Sequence, residues 1–540
     1  MKKKRPNIII FNPDEMRWDS MKHMGNPAAY TPNLDRFAAE DAVSFDHAYC
    51  QNPVCVPSRC SFFTGLYPHV HGHRTMDYLL HEQDTNLFRE LRDAGYYVWM
   101  NSRNDLIAGQ IPGLAENFAD EVYYYDKTEP VAPIPVSILA QGSQKKQQYP
   151  YSHVEGVKEY ESGSDSRDVS AAIKRIEHPL SEQPLCLFLG LTNPHPPYAV
   201  EKRYYDRIKK NQMPKRARKE DTQGKALMLE ELRRYSGMED YSEEQWKEMR
   251  TLYLAQCAMV DDLFGQICDA LKRSGEYDNS AIFVLSDHGD FAGDYDLPEK
   301  TQNTFEDCLT RVPLLIKPPK GEKVDPGIAS GITELVDFYA TVMDYAGIEP
   351  NHDHFGISLR PVIENREATV RRYAFCEGGR RPSEIQCDEY HGAGPDGPEK
   401  SNEYWARLNV QKNAEAHEKG TMITDGQYKY VERLSGKNEF YDLTKDPLER
   451  VNLYEQEKES KIVSDMRLAL LKWYQETCDV VPRAFDSRFT EEKVWSIARV
   501  FCPPECEEKL RRFARKNYNV QKCISYAVQL AIEHGRIKEQ

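Results

Sequence analysis

The chain has 540 residues, 40% of them apolar, enough for two or three domains or for one large α/β domain with a smaller partner. A net charge of −15 disfavours nucleic acid or an acidic membrane as the main partner, and no apolar run reaches the ~18 residues of a transmembrane helix. An anionic small substrate stays admissible, because a few cations focused in one pocket overrule the sign of the whole surface.

The start, "MKKKRPNIIIF", has an apolar run too short for a signal sequence and reads as a first strand, which favours a cytoplasmic protein. The 13 cysteines are odd in number and scattered, which also fits a reduced compartment better than a disulfide framework. Further along, "YYVWM", "LCLFLGLT", "AIFVLS" and "PLLIK" read as buried strands. Between them, "YLAQCAMVDDLFGQICDALKRSG" and "TELVDFYATVMDYAG" carry helical periodicity and stop at glycine. This alternation predicts a parallel sheet with helices on both faces and ligands at the carboxyl edge.

From residue 368 the texture changes. "MITDGQYKYVERLSGKNEFYDL" predicts short strands joined by turns, in a smaller domain over 368–480 that follows a catalytic domain over 1–367. Residues 481–540 read as a charged helical extension, with "EEKVWSIARVF" and "SYAVQLAIEHG" amphipathic. Residues 140–170 and 380–415 are polar and irregular and read as surface insertions. Cys502 and Cys506 in "CPPEC" have no matching pair of ligands nearby in sequence and read as structural rather than zinc-binding.

Two acidic groups, Asp14 and Glu15, follow the first strand in "IIIFNPDEMRWD". Asp287 and His288 follow an apolar strand in "AIFVLSDHGD", where a plain turn would rarely need Asp-His-Gly. Two strand ends therefore bring carboxylates and an imidazole towards one divalent cation, Ca²⁺, Mg²⁺ or Mn²⁺ by ligand hardness. His195, between prolines in "TNPHPPY", sits just past another buried strand. Alone it would be structural, as Lys300 in "DLPEK" would be a solvated lysine.

Cys55 admits three readings: a reduced core thiol, a metal ligand or thiol nucleophile, or a cysteine destined for modification. Arg59 lies one helical turn later, on the same face. A metal site, the cations Arg59 and Lys300, a proton donor in His195, and Cys55 together make equipment for attacking a tetrahedral oxyanion ester. A thiol protease would need neither the metal nor Arg59.

"CVPSRCSFFTG" resembles the signature of type I sulfatases, Cys-x-Pro-Ser-Arg followed by Thr-Gly. "TPNLDRFA", "TGLYPHVHG", "SDHGD", "RVPLLI" and "YKYVERLSGKNEFYDLTKDPLERVNL" are similar to other blocks of that family, in its order, over roughly residues 6–455. The resemblance implies an α/β fold of the alkaline phosphatase superfamily: a large domain with a mostly parallel sheet flanked by helices, plus a smaller C-terminal α+β domain with an antiparallel sheet. It implies that a formylglycine-generating maturation enzyme oxidises Cys55, and that the aldehyde hydrates to a gem-diol that attacks sulfur. Asp14, Cys55, Asp287 and His288 match metal-site residues, with calcium the usual ion. Glu15 joins them where the family varies between aspartate and glutamine. Arg59 matches the arginine that contacts the modified residue, His195 the histidine near the leaving-group oxygen, and Lys300 the sulfate-binding lysine.

One block departs from the family. Many members have Gly-Lys-x-His after a strand like "GYYVWM", whereas "NSRNDL" puts Arg103 in the lysine place and Asp105 in the histidine place. Arginine keeps the cation and adds a fork suited to sulfate. Aspartate changes the proton inventory and points to a sulfated saccharide as the small anionic substrate. The alternatives are a phosphonate monoester or phosphodiester hydrolase of the same superfamily, and a non-catalytic binding protein on this fold. A homo-oligomer is compatible with all three.

Overall fold

The computed structural model describes residues 5–109, 111, 113–124, 154–158, 164–382, 384, 405–481, 489–517 and 519–537. In chain order the first ten strands are β1 (Asn7–Asp14), β2 (Val43–Tyr49), β3 (Tyr97–Asn101), β4 (Glu121–Tyr123), β5 (Val154–Lys158), β6 (Leu185–Pro194), β7 (Tyr198–Glu201), β8 (Ser280–Leu285), β9 (Leu314–Lys317) and β10 (Gly327–Glu334). Eight of them form one sheet in the order β10-β2-β9-β8-β1-β6-β3-β4, while β5 and β7 pair separately. The eight-stranded sheet is parallel except at β9, which runs antiparallel to β2 and β8.

β1 lies at the middle because it is apolar on both faces. Ile9 is registered with Leu187 of β6 and Ile282 of β8. Ile8 and Ile10 pack with Phe63 and Phe338 on one face; Ile9 and Phe11 pack with Phe264 on the other. Helices on both faces keep these side chains dry, and each fully buried one contributes about 1.5–3 kcal/mol. The helix Glu243–Arg273 is started by a capping box, in which Ser242 and Gln245 satisfy each other's backbone amides.

A second, antiparallel sheet has the order β11 (Ala374–Gly378), β12 (Gly420–Thr424), β13 (Tyr428–Arg433) and β14 (Glu439–Asp442). The helix Lys461–Thr477 covers it, with Trp473 stacked on Phe375 at 4.6 Å between ring centroids. This sheet buttresses the loop after Lys300. A side chain at Gly378 would meet the Gln302 carbonyl at 1.8 Å, so only glycine permits the approach. Arg433 Nη1 donates to the Asn303 carbonyl at 3.0 Å.

Both sheets belong to one compact unit, residues 1–480; residues 481–540 form a second. In the second unit the helices Glu491–Ala498, Glu507–Asn517 and Val520–Glu533 close around Val494, Leu510, Cys523 and Leu530. Cys506 is buried there with its Sγ 3.5 Å from His534 Nε2, a contact that spacing alone did not reveal.

The reading of 140–170 and 380–415 as irregular surface insertions needs correction at their C-terminal ends. Residues 140–153, 159–163 and 385–404 lie outside the described residues. Ser164–Glu177 is a helix with Val169 and Ala172 buried, and Trp405–Val410 is a helix with Ala406–Val410 buried. Among the described residues, no helix is long and apolar enough to cross a membrane.

Candidate active site

The site forms where β1, β6 and β8 end. Asp14 is the last residue of β1, and Glu15 turns with φ of 67°, a left-handed conformation rare for glutamate. Asp287 and His288 come after β8, just beyond Ser286. The two strand ends are stitched together: Glu15 N donates to Asp287 Oδ1 at 3.2 Å, and Met16 N to Ser286 Oγ at 2.8 Å.

Cys55 is the first residue of the helix Cys55–Thr64, and Arg59 follows one turn later. Arg59 is fully buried and braces the two strand ends, donating from Nε to Asp287 Oδ2 at 2.7 Å and from Nη2 to Asp14 Oδ2 at 3.0 Å. Its Nη1 donates to the Asn104 carbonyl at 3.1 Å and lies 3.4 Å from Asp105 Oδ2. Arg103 Nη2 donates to the same Asp14 Oδ2 at 2.8 Å. The loop carrying Arg103 reaches β6 because Gly190 leaves room; a Cβ there would meet the Arg103 carbonyl at 2.1 Å.

His195 follows β6. Its Nδ1–H donates to the Pro196 carbonyl at 2.7 Å, so Nε2 is the atom that faces the acids, 3.5 Å from Glu15 Oε2. Lys300 Nζ donates to Glu15 Oε2 at 2.8 Å and lies 3.5 Å from Glu299 Oε1. All the residues read from the sequence as chemical therefore converge, while Arg103 and Asp105 remain the most exposed, at 34% and 27% of their side chains.

The electrostatics follow from burial and these pairings. Burial alone would raise the Asp14 carboxyl, but Arg59, Arg103 and Lys300 hold it well below the usual range. Burial would also discharge Lys300; Glu15 and Glu299 override this and hold it an ammonium. Burial, reinforced by Lys300, pushes His195 down, so the resting imidazole is neutral. Burial first, and then Asp14 and Asp105, push the Cys55 thiol well up. An unmodified thiol here is a poor nucleophile.

The buried atoms without a hydrogen-bond partner among the described residues include Asp14 Oδ1, Glu15 Oε1 and His288 Nε2. Each would cost roughly 1–3 kcal/mol if left so. His288 donates from Nδ1 to the Gly289 carbonyl at 2.9 Å, which leaves a lone pair on Nε2, 3.5 Å from Asp14 Oδ1. Ligand atoms of Asp14, Cys55 and His288 lie within 4.8 Å of one another, as do those of Asp14, Glu15 and His195. Hard oxygens with one neutral imidazole, its proton fixed on the far nitrogen, fit a divalent cation. Asp287 stands at the edge of this set. Its oxygens accept from Arg59, Glu15 N and His288 N, and Oδ1 is 4.0 Å from His288 Nε2.

Sequence reasoning passed over the supports. Ser58 Oγ donates to the Asp287 carbonyl at 2.6 Å. Arg407 Nη2 pairs with Glu299 Oε1 at 2.8 Å and donates to the Lys300 carbonyl at 3.2 Å. Met76 Sδ lies 3.7 Å from Cys55 Sγ. Ser58 lies inside the signature itself. Arg407 and Met76 come from segments with no local pattern to mark them.

A protein-family model described as Sulfatase matches residues 6–348. Arylsulfatase K of Danio rerio is 25% identical over 484 residues, spanning 84% of this chain and 81% of that protein. A protein solved in complex with its substrate D-glucosamine-2-N,6-O-disulfate superposes with a TM-score of 0.66 at 19% identity, covering 88% of this chain and 98% of the other. The phosphonate monoester hydrolase of Agrobacterium radiobacter superposes with a TM-score of 0.65 at 22% identity, covering 88% and 95%. The two solved structures share this fold.

Proposed function

This chain belongs to the sulfatase family, within the alkaline phosphatase superfamily of hydrolases, and from that premise we propose that it cleaves a sulfate monoester from a saccharide, using formylglycine at position 55 and a bound Ca²⁺. The observation that carries the reading is the placement of Cys55 beside the unpartnered lone pairs of Asp14 and His288, all within 4.8 Å, with Arg59 braced behind them. A core thiol would not need such company, and a thiol nucleophile would not be placed among carboxylates that suppress its ionisation.

Asp14, Glu15, Asp287 and His288 would hold the cation, which when bound withdraws charge from the sulfate and favours an ionised nucleophile. A maturation enzyme is required to supply the reactive oxygen at position 55. Arg59 is too enclosed to move and acts as a fixed positive wall. Arg103 and Lys300 receive sulfate oxygens, Arg103 from the open side and Lys300 from beneath. His195 keeps its proton on Nδ1 at rest. To assist a poor sugar leaving group it takes up a second proton at Nε2 as the anion enters. Asp105 stands at the mouth, with φ of 50° and more than a quarter of its side chain exposed, where a sugar hydroxyl can reach it.

The rival within the superfamily is phosphonate monoester or phosphodiester hydrolysis. Turnover by matured enzyme on matched aryl sulfate, phosphonate and phosphodiester substrates, together with regiospecifically sulfated mono- and disaccharides, separates the two. Highest kcat/KM on a sulfated sugar supports the proposal; highest kcat/KM on the phosphonate or diester overturns it.

A further inference from the structure

A second group of metal-type ligands lies outside the site just described. The short helix Pro68–His71 ends at Gly72, and the next helix, Leu87–Asp93, is capped by Asn86. The loop between them starts and finishes at His71, His73 and Asp84, whose ligand atoms lie within 4.8 Å of one another. His73 is the anchor, with only 5% exposure. Its Nδ1–H donates to the Tyr78 carbonyl at 2.9 Å, so a neutral ring presents the lone pair of Nε2. That Nε2 is buried and has no hydrogen-bond partner among the described residues. It lies 3.3 Å from Asp84 Oδ2, at ion-pair distance without hydrogen-bond alignment. With the ring neutral, that lone pair faces the carboxylate, and a cation between them would relieve the repulsion.

We propose that His71, His73 and Asp84 bind a second metal ion, a borderline divalent cation such as Zn²⁺, that clips together the two ends of this loop. Two imidazoles and one carboxylate suit zinc or cobalt rather than calcium, and the remaining position is open to water on the exposed His71 side. The Nδ1–H bond of His73 to a backbone carbonyl is the usual outer support of a metal-bound histidine. His81, whose amide and Nδ1 lie 2.6 and 3.2 Å from Asp84 Oδ2, supports the carboxylate from outside. Closing the loop has a consequence for position 55, because the loop carries Met76 against Cys55. The ion would hold one wall of the substrate pocket in place.

The test uses full-length, matured, Ca²⁺-loaded protein titrated with Co²⁺ and then Zn²⁺, read by visible absorption and by metal content after gel filtration. One equivalent of Co²⁺ with d–d absorption bands, displaced by Zn²⁺, is expected in the unaltered chain and in Asp287→Asn. His71→Ala, at an exposed position, should weaken binding by at least ~10-fold, and Asp84→Asn should do the same. Absence of micromolar Co²⁺ binding would show His73 and Asp84 to be a plain ion pair and overturn the proposal. Binding lost in Asp287→Asn but kept in His71→Ala would overturn it too, by placing the ion in the catalytic site.

Discussion

Lys300 Nζ meets Glu15 Oε2 at 2.8 Å with neither side chain exposed, while the other Glu15 oxygen has no hydrogen-bond partner among the described residues. One carboxylate thus divides itself between an ammonium and the proposed cation site. Removing one member of a buried pair leaves a bare charge, at a cost of about 3–5 kcal/mol. Lys300→Met should lower the melting temperature and kcat/KM together. Adding Glu15→Gln should recover most of the stability and none of the activity, as read by thermal melts and sulfatase assays on the single and double variants. Equal stability of Lys300→Met and the double variant would refute the coupling.

Cys55 should react as something other than a thiol. Its thiol is pushed up by burial and then by Asp14 and Asp105, so in chelator-treated, unmatured protein it should resist iodoacetamide near pH 8 until the chain is unfolded. From cells with maturation activity, the tryptic peptide should be lighter by the thiol-to-aldehyde difference. Activity should scale with that fraction, and Cys55→Ala should be inactive. Substantial turnover by Cys55→Ala would end the formylglycine mechanism.

A leaving-group series addresses His195. Its neutral resting state means that proton donation depends on acquiring a proton with substrate, which matters for sugar alkoxides and little for nitrophenolate. His195→Ala should slow sugar sulfates far more than activated aryl sulfates. Similar slowing of both classes would assign His195 to holding Glu15 instead.

Arg103 and Asp105 carry this chain's departure from its family. Arg103 spends one nitrogen on Asp14 and keeps a third of its side chain open, so it can brace the site and bind sulfate at once. Losing a charge-assisted bond costs about 1.5–3 kcal/mol, or roughly one to two decades in kcat/KM, and Arg103→Lys should be milder than Arg103→Ala. Asp105→Asn should raise KM for sugar sulfates and spare small aryl sulfates. A burst followed by a stall on an aryl sulfate would instead make Asp105 the base that releases product.

Acid stability should depend on His417. Burial, with Arg380 and Arg407 nearby, depresses it to about 3 from an ordinary 6.5. Between those values the unfolded chain binds a proton that the folded chain refuses. The folded state therefore loses up to ~1.4 kcal/mol per pH unit as pH falls through the window, and above pH 6.5 there is no loss. His417→Gln should flatten the difference in unfolding free energy between pH 7 and pH 4. An unchanged slope would mean that other groups set the acid limb.

Much of this protein was legible in its residues because the relevant physics is local. An apolar run such as "NIIIF" has to be a buried strand, a capped amphipathic segment has to be a helix, and carboxylates just past strand ends have to gather at one sheet edge. The signature around Cys55 carried the chemistry to the family level. What spacing could not supply was the set of distances that makes the site work. Arg59 bracing Asp14 and Asp287, Arg407 holding the Lys300 loop, and Met76 against Cys55 join residues 21 to 228 positions apart. Nor could it show that the segment beginning at Trp405 is buried, since a polar sequence hides its burial when each charge finds a distant partner. Local pattern decides which element a residue belongs to; only tertiary packing decides which charge it faces, because opposite charges from unrelated elements are driven together by the cost of leaving either one buried alone.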